Sequence, residues 1–205
     1  MKTQLYYVII LIILTISCTS QTSETKNGTI KPSPRYGTIT RYSVSARTLY
    51  GRGIPDSVFE MTNLKCLTII SEPYHGIKKY KNDTHVNTNC RICEISPKIK
   101  NLQNLEELNL NLSAFDTFPK EIAECKKLKV ININCGTIEN IDILTKLTNL
   151  EKLSLEECYI SKLPDNIGQM TKLKILDLTA TQVDDAELLR VKKALPNCDV
   201  IYYKY

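Results

Sequence analysis

The sequence predicts an α/β solenoid, an array of short strands and turns stacked side by side, and three observations predict it. LEELNLNL (105–112) returns twenty-three residues later as LKVININC (128–135), a bulky aliphatic residue alternating with a polar one in both. The pattern L-x-x-L-x-L occurs five times in register, at Leu64-Leu67-Ile69, Leu105-Leu108-Leu110, Leu128-Ile131-Ile133, Leu150-Leu153-Leu155 and Leu173-Leu176-Leu178, with starts 41, 23, 22 and 23 residues apart. Each copy follows a second apolar pattern of helical or turn-like spacing, such as Phe118-Pro119…Ile122…Cys125…Leu128 or Leu163-Pro164…Ile167…Met170…Leu173. One such unit cannot bury its aliphatic face alone. Stacked units close a continuous core, with a curved parallel sheet on the concave side and short helices or turns on the convex side.

Residues 1–17 read as an export signal. MKTQLYYVIILIILTISC has one Lys near its start and then an unbroken apolar run from Leu5 to Leu14. That run is shorter than the roughly 20 apolar residues a membrane span needs and has the length of a signal-peptide core. The stretch LTISC resembles a bacterial lipoprotein signal, although Thr15 stands three places before Cys18, where that family usually has an aliphatic residue. The resemblance implies cleavage before Cys18 and a lipid on its sulfur and amine, hence a membrane-anchored lipoprotein of the cell envelope, periplasmic or surface-exposed. The alternative is an ordinary secretory signal, which makes the protein secreted. Residues 18–41 are rich in Ser, Thr, Lys and Pro with little to bury, and are expected to form a flexible tether.

Residues 42–205 resemble the leucine-rich repeat family through the five registered copies above. The resemblance implies capping units at both ends. RYSVSARTLYGRGIP (41–55) looks like a degenerate first repeat, and ALPNCDVIYY (194–203) resembles a terminal strand after a longer helix, DDAELLRVKKAL, in a cap over about 183–205. The family's ninth position usually holds a buried Asn that bonds the turn backbone. Here it is Glu72, Ser113, Gly136, Cys158 and Thr181, so the turn ladder is expected to be irregular.

Side chains alternate across a strand, so with the aliphatic fourth and sixth positions inward, the third, fifth and seventh face out of the concave surface. The fifth gives the row Thr68, Asn109, Asn132, Ser154, Asp177; the seventh gives Ile70, Asn111, Asn134, Glu156, Thr179. Asn is a poor strand former, so its recurrence asks for a reason. Two are open: a hydrogen-bonding recognition surface for a protein, peptide or glycan partner (Asn109, Asn111, Asn132, Asn134, Ser154, Glu156, Asp177, Thr179), or polar decoration for solubility.

One repeat carries about eighteen extra residues, a loop over about 72–91 that contains both histidines, His75 and His85, and is followed by Cys90-x-x-Cys93. Tyr74, Lys78, Lys79 and Tyr80 suit a partner contact, with a solvated loop as the plain alternative. Two His and two Cys form a zinc set by type, but the spacing matches no familiar finger, and no metal site is assigned. A disulfide among Cys66, Cys90 and Cys93 suits an exported protein; free thiols are the alternative. Cys125 and Cys198 stand in leucine positions and Cys158 in the ladder position.

Composition and motifs narrow the function. The net charge is +5, but residues 1–53 hold seven Lys/Arg against Glu24 alone, leaving the rest at −1. A basic folded face and a recognition motif, which nucleic-acid binding requires, are both missing. No G-x-S-x-G, P-loop or H-E-x-x-H occurs. The carboxylates Glu156 and Asp177 are neighbours by strand geometry, but an open sheet gives them no cleft that excludes water. The sequence is therefore read as a non-catalytic binding module needing no cofactor. The alternative is a structural component of an envelope complex that uses its convex face or the solenoid ends.

Overall fold

The computed structural model describes residues 40–45, 54–70, 95–111, 117–136 and 138–203 of the 205-residue chain. The signal with Cys18, the tether up to residue 39, and the insertion with Tyr74, His75, Lys78, Lys79, Tyr80, His85, Cys90 and Cys93 lie outside the described residues. All described residues belong to the unit Ser33–Tyr205. Among them, seven strands form one sheet in chain order, every neighbouring pair parallel. They are β1 (Arg41–Ser45), β2 (Cys66–Ile70), β3 (Glu107–Asn111), β4 (Val130–Asn134), β5 (Lys152–Glu156), β6 (Ile175–Asp177) and β7 (Asp199–Ile201). The five expected repeats are β2 to β6, and β1 and β7 are strands in the two segments read as flanking units.

The register follows from the aliphatic pattern. Leu67, Leu108, Ile131, Leu153 and Leu176 at the fourth position, with Ile69, Leu110, Ile133, Leu155 and Leu178 at the sixth, are each at most 1% exposed. Burying a side chain of this size contributes about 1.5–3 kcal/mol, and a one-residue slip would turn the whole set outward.

The convex side is made of 3-10 helices: Asp56–Glu60, Pro97–Asn101, Lys120–Glu124, Ile141–Lys146 and Ile167–Gln169. Each closes the same way. The N–H of Met61, Leu102, Cys125, Leu147 or Met170 bonds the carbonyl three residues back, and that residue takes φ between −75° and −86° with ψ between 59° and 69°. This is inverse γ-turn geometry, and it swings the chain so that the next leucine starts a new strand in the core. The exception is α1 (Asp185–Ala194), capped by Asp184, whose side chain accepts from Glu187 N–H. Glu187 and Arg190 tie this helix to the preceding repeat. Glu187 Oε1 accepts the Leu163 N–H at 2.7 Å, and Arg190 Nη2 donates to Leu163 O at 2.9 Å. Gly168 allows the close approach, since a Cβ there would stand 3.1 Å from Ala194 O.

Two polar columns hold the repeats in step. Just before each strand, Lys65, Glu106, Lys129, Glu151 and Lys174 alternate in sign, with ion pairs Lys65–Glu106 (3.3 Å), Lys129–Glu106 (3.9 Å) and Lys174–Glu151 (2.6 Å). Such exposed pairs each contribute little, but skipping a repeat would set like charges together at that junction. In the second column Asn104 Nδ2 donates to Thr62 O and Asn149 Nδ2 to Lys126 O, each at 2.9 Å. Lys127 and Lys172 in turn donate to those two asparagines at 2.7 Å.

After β4, β5 and β6 the chain leaves the sheet through a left-handed residue: Cys135 (φ 58°), Glu157 (φ 57°) and Ala180 (φ 57°). Their N–H groups bond the next repeat, to Glu156 O, Thr179 O and Tyr203 O. The turn drops Gly136, Cys158 and Thr181 into the interior, where, as expected, they bond unevenly. Thr181 Oγ1 donates to Leu178 O at 2.7 Å, Cys158 Sγ reaches Ile133 O at 3.8 Å, and Gly136 O accepts the Tyr159 N–H at 2.8 Å. Cys125 fills its leucine position at 1% exposure. Cys198 differs from expectation: it is only half-buried, just before β7 at the edge of the described sheet.

Candidate functional site

Strand pairing brings the predicted rows together. In the fifth position Thr68 pairs with Asn109, Asn109 with Asn132, Asn132 with Ser154 and Ser154 with Asp177. In the seventh, Ile70, Asn111, Asn134 and Glu156 follow one another in register. Thr179 lies past the end of β6 and joins the site from the following turn.

Within the fifth-position row the asparagines bond to each other, which sequence reasoning missed. Asn132 Nδ2 donates to Asn109 Oδ1 at 2.7 Å, and Asn109 Nδ2 donates to Glu107 Oε1 at 2.8 Å and Thr68 Oγ1 at 3.2 Å. The direction of the chain is fixed at one end. Arg41 Nη2 holds the Glu107 carboxylate at 3.4 Å, and a carboxylate only accepts. Asn109 must therefore turn its amino group to Glu107 and its carbonyl to Asn132. Asn132 then answers with its amino group, and its own carbonyl bonds no other described residue. The signal that could have revealed this was the 23-residue recurrence of Asn at the same strand position, with an acid two residues before the first.

The row changes character at β5. Ser154 is 8% exposed, a short side chain between the longer Asn132 and Asp177. Its hydroxyl bonds no other described residue, and it opens to the concave surface, because no enclosed polar side-chain atom among the described residues lacks a partner. Asp177 Oδ1 accepts the Thr179 N–H at 2.9 Å. Glu156 beside it is pushed above the usual carboxylate range, first by partial burial, then by the charges of Asp177 and Glu157, against the pull of Lys152. This end of the face is acidic and rich in acceptors.

Burial is the first cause of a raised pKa at every described cysteine. Cys135 and Cys158 are pushed up to about 12, Cys125 and Cys198 to about 11, and Cys66 upward. Cys135 also donates to Glu157 Oε2 at 2.8 Å. These thiols stay protonated at neutral pH and are poor nucleophiles. Cys66 is a free, buried thiol on the concave side of β2, while Cys90 and Cys93 lie outside the described residues. Away from the rows, a cavity of about 330 Å³ opens between the loops that follow β4 and β5, over Ile138, Ile160 and Leu163, with Tyr159 at its rim. Tyr159 is 70% exposed.

No protein-family model and no curated protein matches the sequence. Solved structures do match. A leucine-rich repeat protein of Leptospira interrogans superposes with TM-score 0.57 at 22% identity, covering 72% of this chain and 33% of that one. An internalin of Listeria monocytogenes gives TM-score 0.52 at 14% identity, covering 74% of this chain and 45% of the other. The fold is a leucine-rich repeat solenoid. A plant peptide hormone receptor, RGFR1 in complex with RGF2, adds TM-score 0.52 at 18% identity over 82% of this chain and 25% of the receptor. The chain thus spans less than half the length of each of these leucine-rich repeat structures.

Proposed function

We propose that this leucine-rich repeat domain is a non-catalytic recognition module that takes a protein or peptide partner, or a glycan, on its concave face. It is exported and held to a membrane of the cell envelope by a lipid on Cys18. The observation that carries the reading is the strand register, which lines up Asn111, Asn134, Ser154, Glu156 and Asp177 on one open surface. A likeness of fold to a peptide hormone receptor in a complex is consistent with it. The test is a cross-linking capture from envelope extract with the full chain beside an Asn134→Arg, Asp177→Arg variant, which spares the Asn109–Asn132 bond. Loss of the captured partner, at unchanged circular dichroism, is expected; equal capture by both would move recognition off the sheet. The anchor is tested separately: Cys18→Ala should abolish labelling by an alkyne fatty acid, and unchanged labelling rules it out.

A second reading, an assembly component that contacts neighbours through its ends or convex side, draws on Leu189 and Tyr203 near the last strand, which are 70% and 68% exposed. Leu189→Asp with Tyr203→Asp separates the two, since it should leave concave-face capture intact and abolish an end-on contact.

A further inference from the structure

The amide chain on the concave face stops one strand short of the acidic residues. The side chains around the gap are mostly acceptors: the Asn132 carbonyl, which bonds no other described residue, the carboxylates of Glu156 and Asp177, and the hydroxyl of Ser154, which can also donate. Ser154 is the floor, nine-tenths buried and with a hydroxyl that bonds no other described residue, while its neighbours in the row are longer. Lys152, two residues before Ser154 on the same strand, forms no ion pair with a described residue, and its single charge only partly offsets the two carboxylates. A group that satisfies this set must donate several hydrogen bonds and carry positive charge. The acceptors sit on three strands spaced about 4.8 Å apart, wider than a single ammonium reaches but matched by the planar five-donor fork of a guanidinium. The concave rows of β2 to β6 carry no aromatic ring to stack on a sugar, which favours a peptide over a glycan.

We propose that the notch formed by Asn132, Ser154, Glu156 and Asp177 receives an arginine side chain of a peptide lying across the concave face. This deepens the recognition reading above and rests on it. The probe is a set of N-acetylated, C-amidated heptapeptides of glycine and serine with one central arginine, lysine or citrulline, titrated into 15N-labelled full chain. The arginine peptide should shift the side-chain amide of Asn132 and the backbone amides of Ser154 and Asp177. Lysine should bind at least threefold more weakly, and citrulline, the neutral isostere, at least tenfold more weakly. Ser154→Asn should remove the response without lowering the melting temperature, because an added amide can bond the free Asn132 carbonyl and fill the notch. Asp177→Asn should weaken it at least tenfold. Equal shifts with citrulline would overturn the charge argument, and equally tight lysine binding would overturn the guanidinium. No response at 10 mM arginine peptide, or a response to glucosamine oligomers alone, would overturn the notch as an arginine site. Shifts confined to other concave residues, such as Asn111 or Asn134, would sink this inference while leaving the concave face as the recognition surface.

Discussion

Between β3 and β4 the fifth-position residues, Asn109 and Asn132, are joined side chain to side chain, whereas between β5 and β6 the equivalent Ser154 and Asp177 are not. Both pairs stand on the same buried aliphatic rows and in the same strand register. The difference is therefore one of chemistry on an unchanged scaffold. A polar face can consume its hydrogen bonds internally, which stiffens the sheet, or leave them open, which leaves them for a ligand. Polarity alone does not distinguish the two; partners do.

The comparison is broken most severely by removing what the halves share. Leu108→Ala and Leu153→Ala, one under each half, should each cost about 2–5 kcal/mol in denaturant unfolding. A loss much smaller at one of them would mean that the core is not continuous. A smaller contrast lies on the surface above. Asn109→Ala removes bonds to Glu107, Thr68 and Asn132 and should cost about 1–2 kcal/mol, while Ser154→Ala should stay within about 0.5 kcal/mol. Equal costs would mean that the amide chain does not stabilise the sheet. Ser154→Asn, which extends the chain into the open half, should gain up to about 1 kcal/mol, and a clear loss would show that the notch cannot hold an amide.

The smallest effect is electrostatic. The Glu156 carboxyl sits above its ordinary range, so its ionised form opposes folding. That penalty is present above the raised pKa and vanishes below the unfolded value. Glu156→Gln should therefore raise stability at pH 7 by a few tenths of a kcal/mol, with the two proteins converging near pH 3. A variant less stable than the parent at pH 7 would assign Glu156 a favourable ion pair.

The legible part of this molecule was whatever repeats in hydrophobicity. Leu108, Ile131 and Leu153 announced strands, faces and register, because burial of an aliphatic side chain depends on position alone. The two flanking strands were legible too, β1 from a degenerate copy and β7 from the strand after a long helical run. What stayed hidden depends on pairs. Asn109 and Asn132 were placed on the correct face, yet their mutual bond requires knowing side-chain orientation, which Glu107 sets from the neighbouring position. The left-handed turns at Cys135, Glu157 and Ala180 were hidden for another reason: none is Gly or Asn, the residues that advertise such a backbone. The stacked repeat imposes the conformation on whatever residue falls there. The alternating Lys65–Glu106–Lys129–Glu151–Lys174 column was visible in the letters but has meaning only once the repeats are stacked.

The direction of the amide chain gives the solenoid a head and a tail. Because Glu107 orients Asn109 and Asn109 orients Asn132, duplicating residues 128–149 would add another Val-Ile-Asn-Ile-Asn strand with the same orientation. The unsatisfied carbonyl would pass to the new copy and the notch would be carried about 4.8 Å further along the sheet, its chemistry unchanged. Gene duplication could thus retune the spacing between this pocket and the amino-terminal edge in fixed steps, a form of inherited variation that adjusts distance without disturbing recognition.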